Sequence, residues 1–380
     1  MKAIVVGGCV GGLCAAIALR RGGIEAAVFE RAGRLEEIGA GVALAPNALR
    51  GLERLGVADA VRARGAASRK GIARTSCGEV LTEADWNGVS IHRADLQATL
   101  LEALEPDTVR LGSACTGFDQ DPTAVSVRLA DGREERGDVL IGADGLHSEI
   151  RAQLVGRTKP RYAGTTAWRG VTRFEHESLA SVSESWGRGS RFGLQAIGRG
   201  RVYWYATKNA PEGSSAPPAE RKRELLERFA GWHEPIEAVI EATEEAGILQ
   251  TDIYDRKPLR RWSEGRVTLL GDAAHPMTPD WGQGAAQAIE DAVVLADCLR
   301  REDDVALALR AYEGRRVRRA NALVRQSRLL NRIGQLESPL ACRVRDGMMK
   351  RTPARLRRRQ LERIASVLSQ RFAGNIGGGW

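Results

Sequence analysis

The N-terminal stretch constrains the fold more than any other part of the chain, because it contains a complete strand, turn, helix and second strand. The apolar run KAIVV (residues 2–6) is typical of a buried parallel strand, and the turn GGCVGG (residues 7–12) follows it directly. After a helix, the strand IEAAVFE closes on Glu30, 18 positions beyond Gly12. This order indicates a βαβ unit that binds a dinucleotide. In such a unit Gly7 makes the tight turn, Gly12 allows close helix–strand packing, and Glu30 accepts from a ribose hydroxyl.

Cys9 occupies the middle glycine position of this pattern. Its side chain is small, so a pyrophosphate can still approach beside Gly8 and Gly11, although the fit is tighter than with glycine. The alternative is a redox-active Cys9, which would need a resolving thiol nearby. The chain contains no CxxC pair, so we expect Cys9 to act only as a small side chain beside the pyrophosphate.

A second informative stretch is GDAAHPMTPDWGQGAAQAIED, from Gly271 to Asp291. The run RVTLL before it predicts a short buried strand that ends at Gly271. From Gly284 onward, apolar residues recur at helical spacing, so a helix begins there with its free backbone N–H groups directed back into the loop. The N-terminus of a helix favours negative charge. The loop therefore predicts a site for an anion or for developing negative charge.

Asp144 lies in a third motif, GADGLHSEIR (residues 142–151), which follows the apolar strand around Val139 to Ile141. Open α/β sheets bind ligands at strand ends of this kind. The carboxylate could equally cap the following helix, and a cap and a ligand contact can coexist.

The segment from Tyr162 to Ile253 differs in composition, because it carries most of the Trp and Tyr residues. Alternating runs such as RFGLQAI and RVYWYAT predict an antiparallel sheet. One aromatic face could be core or could line a pocket, and Trp204 is the strongest pocket candidate. Before this segment, HRADLQATLLEAL predicts an amphipathic helix that opens on Arg93, a residue that could simply be solvated or salt-bridged.

Length and composition bound the remaining possibilities. A chain of 380 residues can form two domains with a large shared interface. The longest apolar runs fall well short of 18 residues, and the start MKAIVVGG is too short for a signal peptide. We therefore expect a cytoplasmic protein without a membrane span. The six cysteines suit a reducing compartment, with no disulfide framework and no metal site.

Positive charge is concentrated at the C-terminus. From Arg315 to Trp380 the chain has 17 Lys and Arg and three acids, a net charge of +14, whereas the preceding residues carry −5. Such runs usually form a solvated helical face, here with Val317, Ala320, Val324 and Ile333 turned inward. The alternative is a patch for nucleic acid or an acidic membrane. No aromatic residue interleaves with the arginines before Phe372, which argues against single-stranded nucleic acid.

Together GGCVGG with Glu30, GADGLHSEIR and GDAAHPMTPDWGQG resemble, in order and approximate spacing, the group A flavoprotein monooxygenases. These are single-component FAD-dependent aromatic hydroxylases with the p-hydroxybenzoate hydroxylase fold. The segments YAGTTAWRG and RVYWYAT look like the branch that contains salicylate, 3-hydroxybenzoate and urate hydroxylases. The resemblance extends from Lys2 to about Arg363.

The resemblance implies an α/β fold with a Rossmann-like FAD-binding domain, an inserted mixed or antiparallel β-sheet substrate domain and a C-terminal helical segment. We expect a discontinuous FAD-binding domain of residues 1–70, 93–160 and 262–314. The substrate domain would comprise residues 71–92 and 161–261, and a basic helical region residues 315–380.

It also implies a set of cofactor contacts. Glu30 and Arg31 would hold the adenosine ribose, Asp272 would accept from a ribityl hydroxyl, and Gln283 with its neighbours would line the flavin. Val42, in a glycine-rich loop that begins at residue 33, and Arg93 would meet the ribityl chain and the phosphates. No second dinucleotide fingerprint is visible, so NAD(P)H would bind transiently in a groove. The residues expected to bind FAD are Gly7, Gly11, Gly12, Glu30, Arg31, Val42, Arg93, Cys115, Asp144, Asp272, Gly282, Gln283, Gly284 and Ala285.

The implied activity is hydroxylation of an aromatic or heteroaromatic small molecule. NAD(P)H reduces FAD, O2 forms a flavin C4a-hydroperoxide, and the distal oxygen passes to the substrate. The protein must stabilise the anionic reduced flavin and exclude water, and a helix N-terminus at Gly284 contributes about 0.3–2 kcal/mol to the first task. The expected catalytic residues are Pro279, Asp280, Trp281 and Gly282, and the expected substrate contacts are Arg191, Gln195, Trp204 and Trp281.

Several alternatives stay open on sequence alone. Asp280 could cap the helix or contact the substrate, and His275 is expected to be structural, with a role as a base as the alternative. A flavin-dependent reductase or dehydrogenase on the same scaffold, or a non-catalytic flavin- or ligand-binding protein, are the rival functions. The sequence is compatible with a monomer or a homodimer.

Overall fold

The computed structural model describes residues 1–34, 40–353 and 355. Part of the predicted glycine-rich loop before Val42 and the end of the predicted basic region therefore lie outside the described residues. The strands are β1 (Lys2–Val6), β2 (Glu25–Phe29), β3 (Gly41–Leu44), β4 (Ala66–Thr75), β5 (Val80–His92), β6 (Val109–Arg110), β7 (Cys115–Gln120), β8 (Val125–Leu129), β9 (Glu134–Gly137), β10 (Val139–Gly142), β11 (Arg161–Arg173), β12 (Val182–Trp186), β13 (Ser190–Ala196), β14 (Arg201–Asn209), β15 (Leu249–Asp255), β16 (Ser263–Glu264) and β17 (Val267–Leu269). The helices are α1 (Val10–Arg21), α2 (Pro46–Arg54), α3 (Ala58–Arg64), α4 (Arg93–Glu102), α5 (Glu149–Val155), α6 (Pro218–Phe229), α7 (Ile236–Glu241), α8 (Gly284–Arg301), α9 (Val305–Gly334) and α10 (Pro339–Arg351).

A six-stranded sheet in the order β16-β17-β10-β1-β2-β6 contains the predicted βαβ unit. β1 pairs in parallel with β2 and with β10, and β10 pairs in parallel with β17. Parallel strands end at the same edge, so the three motifs, which each follow one of these strands, meet there. The expected Rossmann-like arrangement is confirmed.

A larger sheet has the order β15-β11-β14-β13-β12-β4-β5-β3. Most neighbours are antiparallel, while β12 and β4 run parallel, so the sheet is mixed as expected. β3 and the first residues of β4, which fall in the predicted FAD-binding segment 1–70, pair with β5 of this sheet. The domain boundaries themselves stay a prediction. A three-stranded sheet, β7-β8-β9, adjoins the first.

The two faces of the larger sheet differ in character. Trp168, Phe192 and Trp204 face a hydrophobic cluster that includes residues of α6 and α7. Residues one position out of phase, such as Arg191, Gln195 and Tyr205, face the other side because side chains alternate along a strand. The second face is therefore the polar one.

The basic helix α9 is less solvated than its sequence predicts. Ala320 and Val324 face inward as expected, but the prediction for Ile333 is wrong, since 37% of its surface is exposed. Arg316 of the same charge run is instead buried. The cause is a pair of buried carboxylates on α8 that this guanidinium neutralises.

Across the described residues, no helix has both the length and the apolar content needed to cross a membrane. All six cysteines are free.

Candidate active site

The turn after β1 can be made only with glycine at two positions. Gly7 has φ of +111°, and a Cβ there would lie 2.3 Å from the carbonyl oxygen of Ala143. A Cβ on Gly12 would lie 1.9 Å from the carbonyl oxygen of Gly7. The geometry thus supplies the tight turn and the close packing that the motif predicts.

Glu30 anchors this turn to the end of β2. Its carboxylate accepts from the amide of Gly8 at 2.6 Å and from the amide of Ala32 at 2.9 Å. Its carbonyl oxygen accepts from the amide of Ser113, which brings the loop before Cys115 to the same edge. Arg31 is exposed beside it. The residues expected around the adenosine ribose therefore lie together.

Two helices begin at this edge without side-chain caps. The residues before α1 and α8 are Cys9 and Gln283, and neither helix has a side-chain cap or an acidic residue in its first turn. Their free N–H groups favour a bound anion. Gly284 and Ala285, both expected at the cofactor, open the second helix.

Asp272 stands between these elements. It is exposed just after β17, and its Oδ1 is 3.9 Å from the place a Cβ would take on Gly284. Arg93 is within electrostatic reach of this carboxylate and donates to the sulfur of Cys9 at 3.5 Å. Gln97, one turn further along α4, donates to the carbonyl of Gly8 at 3.0 Å. Its place in an amphipathic helix gave no hint of this contact.

The predicted N-cap role falls to Ser148, but Asp144 also accepts from backbone amides in the first turn of α5. Its Oδ2 accepts from the amides of Glu149 and Ile150 at 2.8 and 3.3 Å. Its Oδ1 is buried without a partner among the described residues, and burial raises the pKa of this carboxyl. Arg151 of the same motif donates to the carbonyl of Ala273 at 2.8 Å, so the motif also positions the loop after β17. A contact with FAD stays a prediction.

The capping interpretation of Asp280 is wrong. The residue lies in a short 3₁₀ turn, Pro279–Trp281, and α8 begins later without a side-chain cap. Its Oδ1 instead accepts from Nη2 of Arg191 at 2.5 Å, and both side chains are almost fully buried. Strand β13 of the larger sheet thereby contacts the predicted catalytic loop.

Arg191 belongs to a wider polar cluster on the same face. Its Nη1 donates to Glu184 at 3.3 Å, and Glu184 also accepts from the hydroxyl of Tyr205 at 2.9 Å and from the indole of Trp186 at 2.7 Å. The positive charge of Arg191 is therefore balanced by the negative charges of two carboxylates, those of Glu184 and Asp280. Burial, followed by the charge of Glu184, raises the pKa of Tyr205 well above its ordinary value, so the phenol stays protonated.

Trp204 does not join this cluster. It is fully buried, stacks on Phe192 with ring centroids 5.5 Å apart and donates to Thr243 at 2.9 Å, all on the opposite face of the sheet. The prediction that Trp204 contacts the substrate is therefore wrong, because its side chain lies on the face away from Arg191 and Asp280. The register places Tyr205 opposite Gly193, where a Cβ would overlap the tyrosine ring, so Tyr203 and Tyr205 are the aromatic residues of β14 that lie on the polar face.

The other predicted residues occupy separate positions. Gln195 shares the polar face and accepts from Ser90 at 3.3 Å. Val42 lies in strand β3 rather than in a loop, half-buried opposite Ile91. Gly282 has φ of +59° directly before Gln283, which is buried. Pro279 is exposed and Trp281 half-buried at the edge of the loop.

A buried network beneath α8 holds this loop. His275 contacts Asp291 at 2.6 Å, and Arg316 donates to Asp291 and to Glu290 at 2.6 Å each. Asn47 also donates to Glu290, at 2.6 Å. Burial raises the pKa of both carboxyls, but the charge of Arg316 outweighs it and holds them below their ordinary values. The contacts of His275 match the structural role expected of it.

Comparison with known proteins agrees with this geometry. The family model described as "FAD binding domain" matches residues 1–327. The chain is 46% identical to the aurachin C monooxygenase/isomerase of Stigmatella aurantiaca, over 94% of this chain and 97% of that protein. It is 35% identical to the FAD-dependent urate hydroxylase of Klebsiella pneumoniae, over 86% and 89% of the two chains. The solved structure of K. pneumoniae HpxO complexed with FAD and uric acid superposes with a TM-score of 0.90 at 32% identity. The match covers 98% of this chain and 97% of that one.

The chain belongs to the group A flavoprotein monooxygenases. The resemblance inferred from the three motifs is thus confirmed, and FAD is the cofactor. The residues present fit it, because two uncapped helix N-termini, a glycine turn without room for a side chain and the exposed Asp272 share one edge of the sheet. The individual contacts remain predictions.

Proposed function

We propose that this flavoprotein monooxygenase uses NAD(P)H and O2 to hydroxylate an aromatic or heteroaromatic small molecule that binds between the polar face of the larger sheet and residues 279–284. The contact between Arg191 and Asp280 carries the proposal, since it joins the sheet to the loop at the start of α8. The relative named for urate supports a nitrogen heterocycle.

Each part of the site has a separate task. Bound FAD, once reduced, supplies the chemistry that activates O2. The uncapped N-terminus of α8 stabilises negative charge on the ring, and Asp272 holds the ribityl side. Pro279 and Trp281, at the loop edge, exclude water when substrate is bound.

The charges of the site favour a neutral substrate. Arg191 is already paired with Glu184 and Asp280, so it has little positive charge left to attract a carboxylate. Oδ2 of Asp280 is buried and has no partner among the described residues. A substrate N–H or O–H group would supply the missing donor, and an anion would meet two carboxylates instead.

The test measures NAD(P)H oxidation and O2 uptake together. We expect neutral hydroxylated heteroaromatics to stimulate both at least tenfold, and salicylate and 3-hydroxybenzoate to stimulate neither. Stimulated NAD(P)H oxidation with product formation under anaerobic conditions would instead identify a reductase, and a bound ligand without turnover would identify a binding protein. Comparing NADH with NADPH in the same assay determines the electron donor.

A reducing cytoplasmic location completes the proposal. The six free cysteines support it, because none of them is committed to a disulfide.

A further inference from the structure

Helix α10 directs its apolar side chains away from the protein. Leu340, Val344 and Met348 recur every four residues, so they share one side of the helix. Their exposed fractions are 71%, 55% and 67%. Soluble helices normally turn such a stripe toward the core.

The side of α10 that packs on the protein is instead held by Arg345. This residue is 5% exposed, its guanidinium lies 5.2 Å from the ring centroid of Trp186, and it contacts the carbonyls of Gly187 and Gly334 at 3.4 Å. The outer apolar stripe is therefore left uncovered by the part of the chain that the structure describes.

Basic residues flank the stripe. Arg343, Lys350 and Arg351 are exposed, and the only acid of α10, Asp346, pairs with Arg345 at 2.8 Å. Lys350 also pairs with Glu79 at 2.5 Å, next to Val80, another apolar side chain that is 44% exposed. The helix therefore combines an apolar strip with a net charge of +3.

We propose that the outer face of α10 binds the surface of an anionic lipid bilayer. An interfacial helix inserts apolar side chains at the acyl boundary while its basic residues contact lipid headgroups. Charge selects this occupant. A second copy of the chain would present the same positive face and repel it, and nucleic acid would leave the three apolar side chains in water.

The charge of the neighbouring sequence supports the same occupant. Residues 356–380 add Arg357, Arg358, Arg359, Arg363 and Arg371 against the single acid Glu362. Each basic residue near an anionic surface increases partitioning about fivefold, so the net charge of +3 on α10 already favours acidic over neutral lipid.

The surface lies close to the proposed substrate site. The ring centroid of Trp186 lies 5.2 Å from the guanidinium of Arg345 and 5.9 Å from that of Arg191. Bilayer binding would therefore place the site beside a source of lipophilic aromatic compounds. This consequence depends on the proposed function, whereas the binding itself does not.

The test is co-sedimentation of the FAD-loaded full-length protein with vesicles. We expect binding to phosphatidylcholine vesicles containing 30% phosphatidylglycerol, at least tenfold weaker binding to pure phosphatidylcholine, and loss of binding in high salt. The double variant Leu340→Ser, Met348→Ser should bind at least tenfold more weakly. Leu307→Ser, which changes a residue that is 45% exposed on α9, is the matched control and should bind normally.

Other results would overturn the proposal. Equal binding of the double variant and the parent would mean that α10 is not the contact. A lower unfolding temperature of the double variant, with Leu307→Ser unchanged, would show that the protein's own chain covers the stripe. Concentration-dependent dimers that the double variant abolishes would identify a second copy as the occupant, and vesicle-independent binding to an oligonucleotide would identify nucleic acid.

Discussion

Asp272 is the residue on which the cofactor model depends most directly. It follows β17, is exposed at the shared edge, and lies beside the start of α8 and within reach of Arg93. An exposed carboxylate at such a place is available to accept from a hydroxyl of the ribityl chain.

We expect Asp272→Ala to lose at least nine-tenths of its FAD during purification, because a charge-assisted hydrogen bond is worth about 1.5–3 kcal/mol. The ratio of flavin to protein absorbance measures the loss. Asp131→Ala, an exposed aspartate paired with Arg133 in a surface turn, is the control and should keep full flavin. Full occupancy in Asp272→Ala would refute the assignment.

Cys9 tests whether the departure from glycine matters. The residue has φ of −85°, a value open to any side chain, so the turn itself does not demand glycine there. We expect Cys9→Gly to bind FAD equally or more tightly, because it removes a side chain from the approach to the pyrophosphate. Flavin fluorescence titration of the apoprotein gives the affinity. Weaker binding would show that the thiol, through its contact with Arg93, contributes to the site.

At the scale of elements, the active-site loop depends on the packing of α8 against α9. Arg316 of α9 satisfies both Glu290 and Asp291 of α8, and all three side chains are at most 1% exposed. Removing one partner of a buried ion network leaves uncompensated charge.

We expect Arg316→Met to reduce the free energy of unfolding by about 3–5 kcal/mol, since Glu290 would keep only Arg319 and Asp291 only His275 as a partner for its buried charge. Urea denaturation with excess FAD measures it. The control is Arg318→Met, an exposed position on the same helix, for which the change should be within about 0.5 kcal/mol. Equal stabilities of the two variants would exclude the network as a support of the fold.

The same network predicts a pH dependence. The folded-state pKa values of Glu290 and Asp291 lie below their ordinary values, so their contribution is complete above about pH 5 and is lost as the pH falls through the folded values. Without Arg316, Arg319 and His275 would offset burial less completely, so the pKa values of Glu290 and Asp291 would rise. The stability gap between parent and Arg316→Met should therefore narrow by about 1–2 kcal/mol between pH 7 and 4.5. A stability difference that stays constant between pH 7 and 4.5 would contradict this prediction.

Across the whole chain, the sequence predicts correctly those elements that depend only on residues close together in the sequence. The βαβ unit, the strand before Gly271 and the helix from Gly284 each follow from periodicity and turn residues over a few positions. Periodicity does not show which face of RVYWYAT meets the proposed site, because aromatic residues occupy both alternating positions of the strand. Sequence therefore gave no means of choosing Tyr205 over Trp204.

Ion pairs between residues far apart in the sequence account for the other features that sequence analysis did not predict. Asp280 meets Arg191 across 89 positions, and Arg316 meets Glu290 across 26. Within the sequence, each looks like a solvated charge or a helix cap, and only the packing of β13 and α9 against the loop supplies its partner.

The contact between Asp280 and Arg191 also gives the last prediction, because it joins the larger sheet to the loop before α8. Asp280→Ala leaves Arg191 paired with Glu184 alone and removes the acceptor proposed for the substrate. We expect normal flavin content, but at least tenfold less product for each NAD(P)H oxidised, since a misplaced substrate lets the activated oxygen be lost as peroxide. The ratio of product to NAD(P)H, with peroxide measured alongside, tests this. Asp280→Asn, which keeps an acceptor without the charge, should recover part of the ratio, and an unchanged ratio in Asp280→Ala would show that the contact serves only to hold the sheet and loop together.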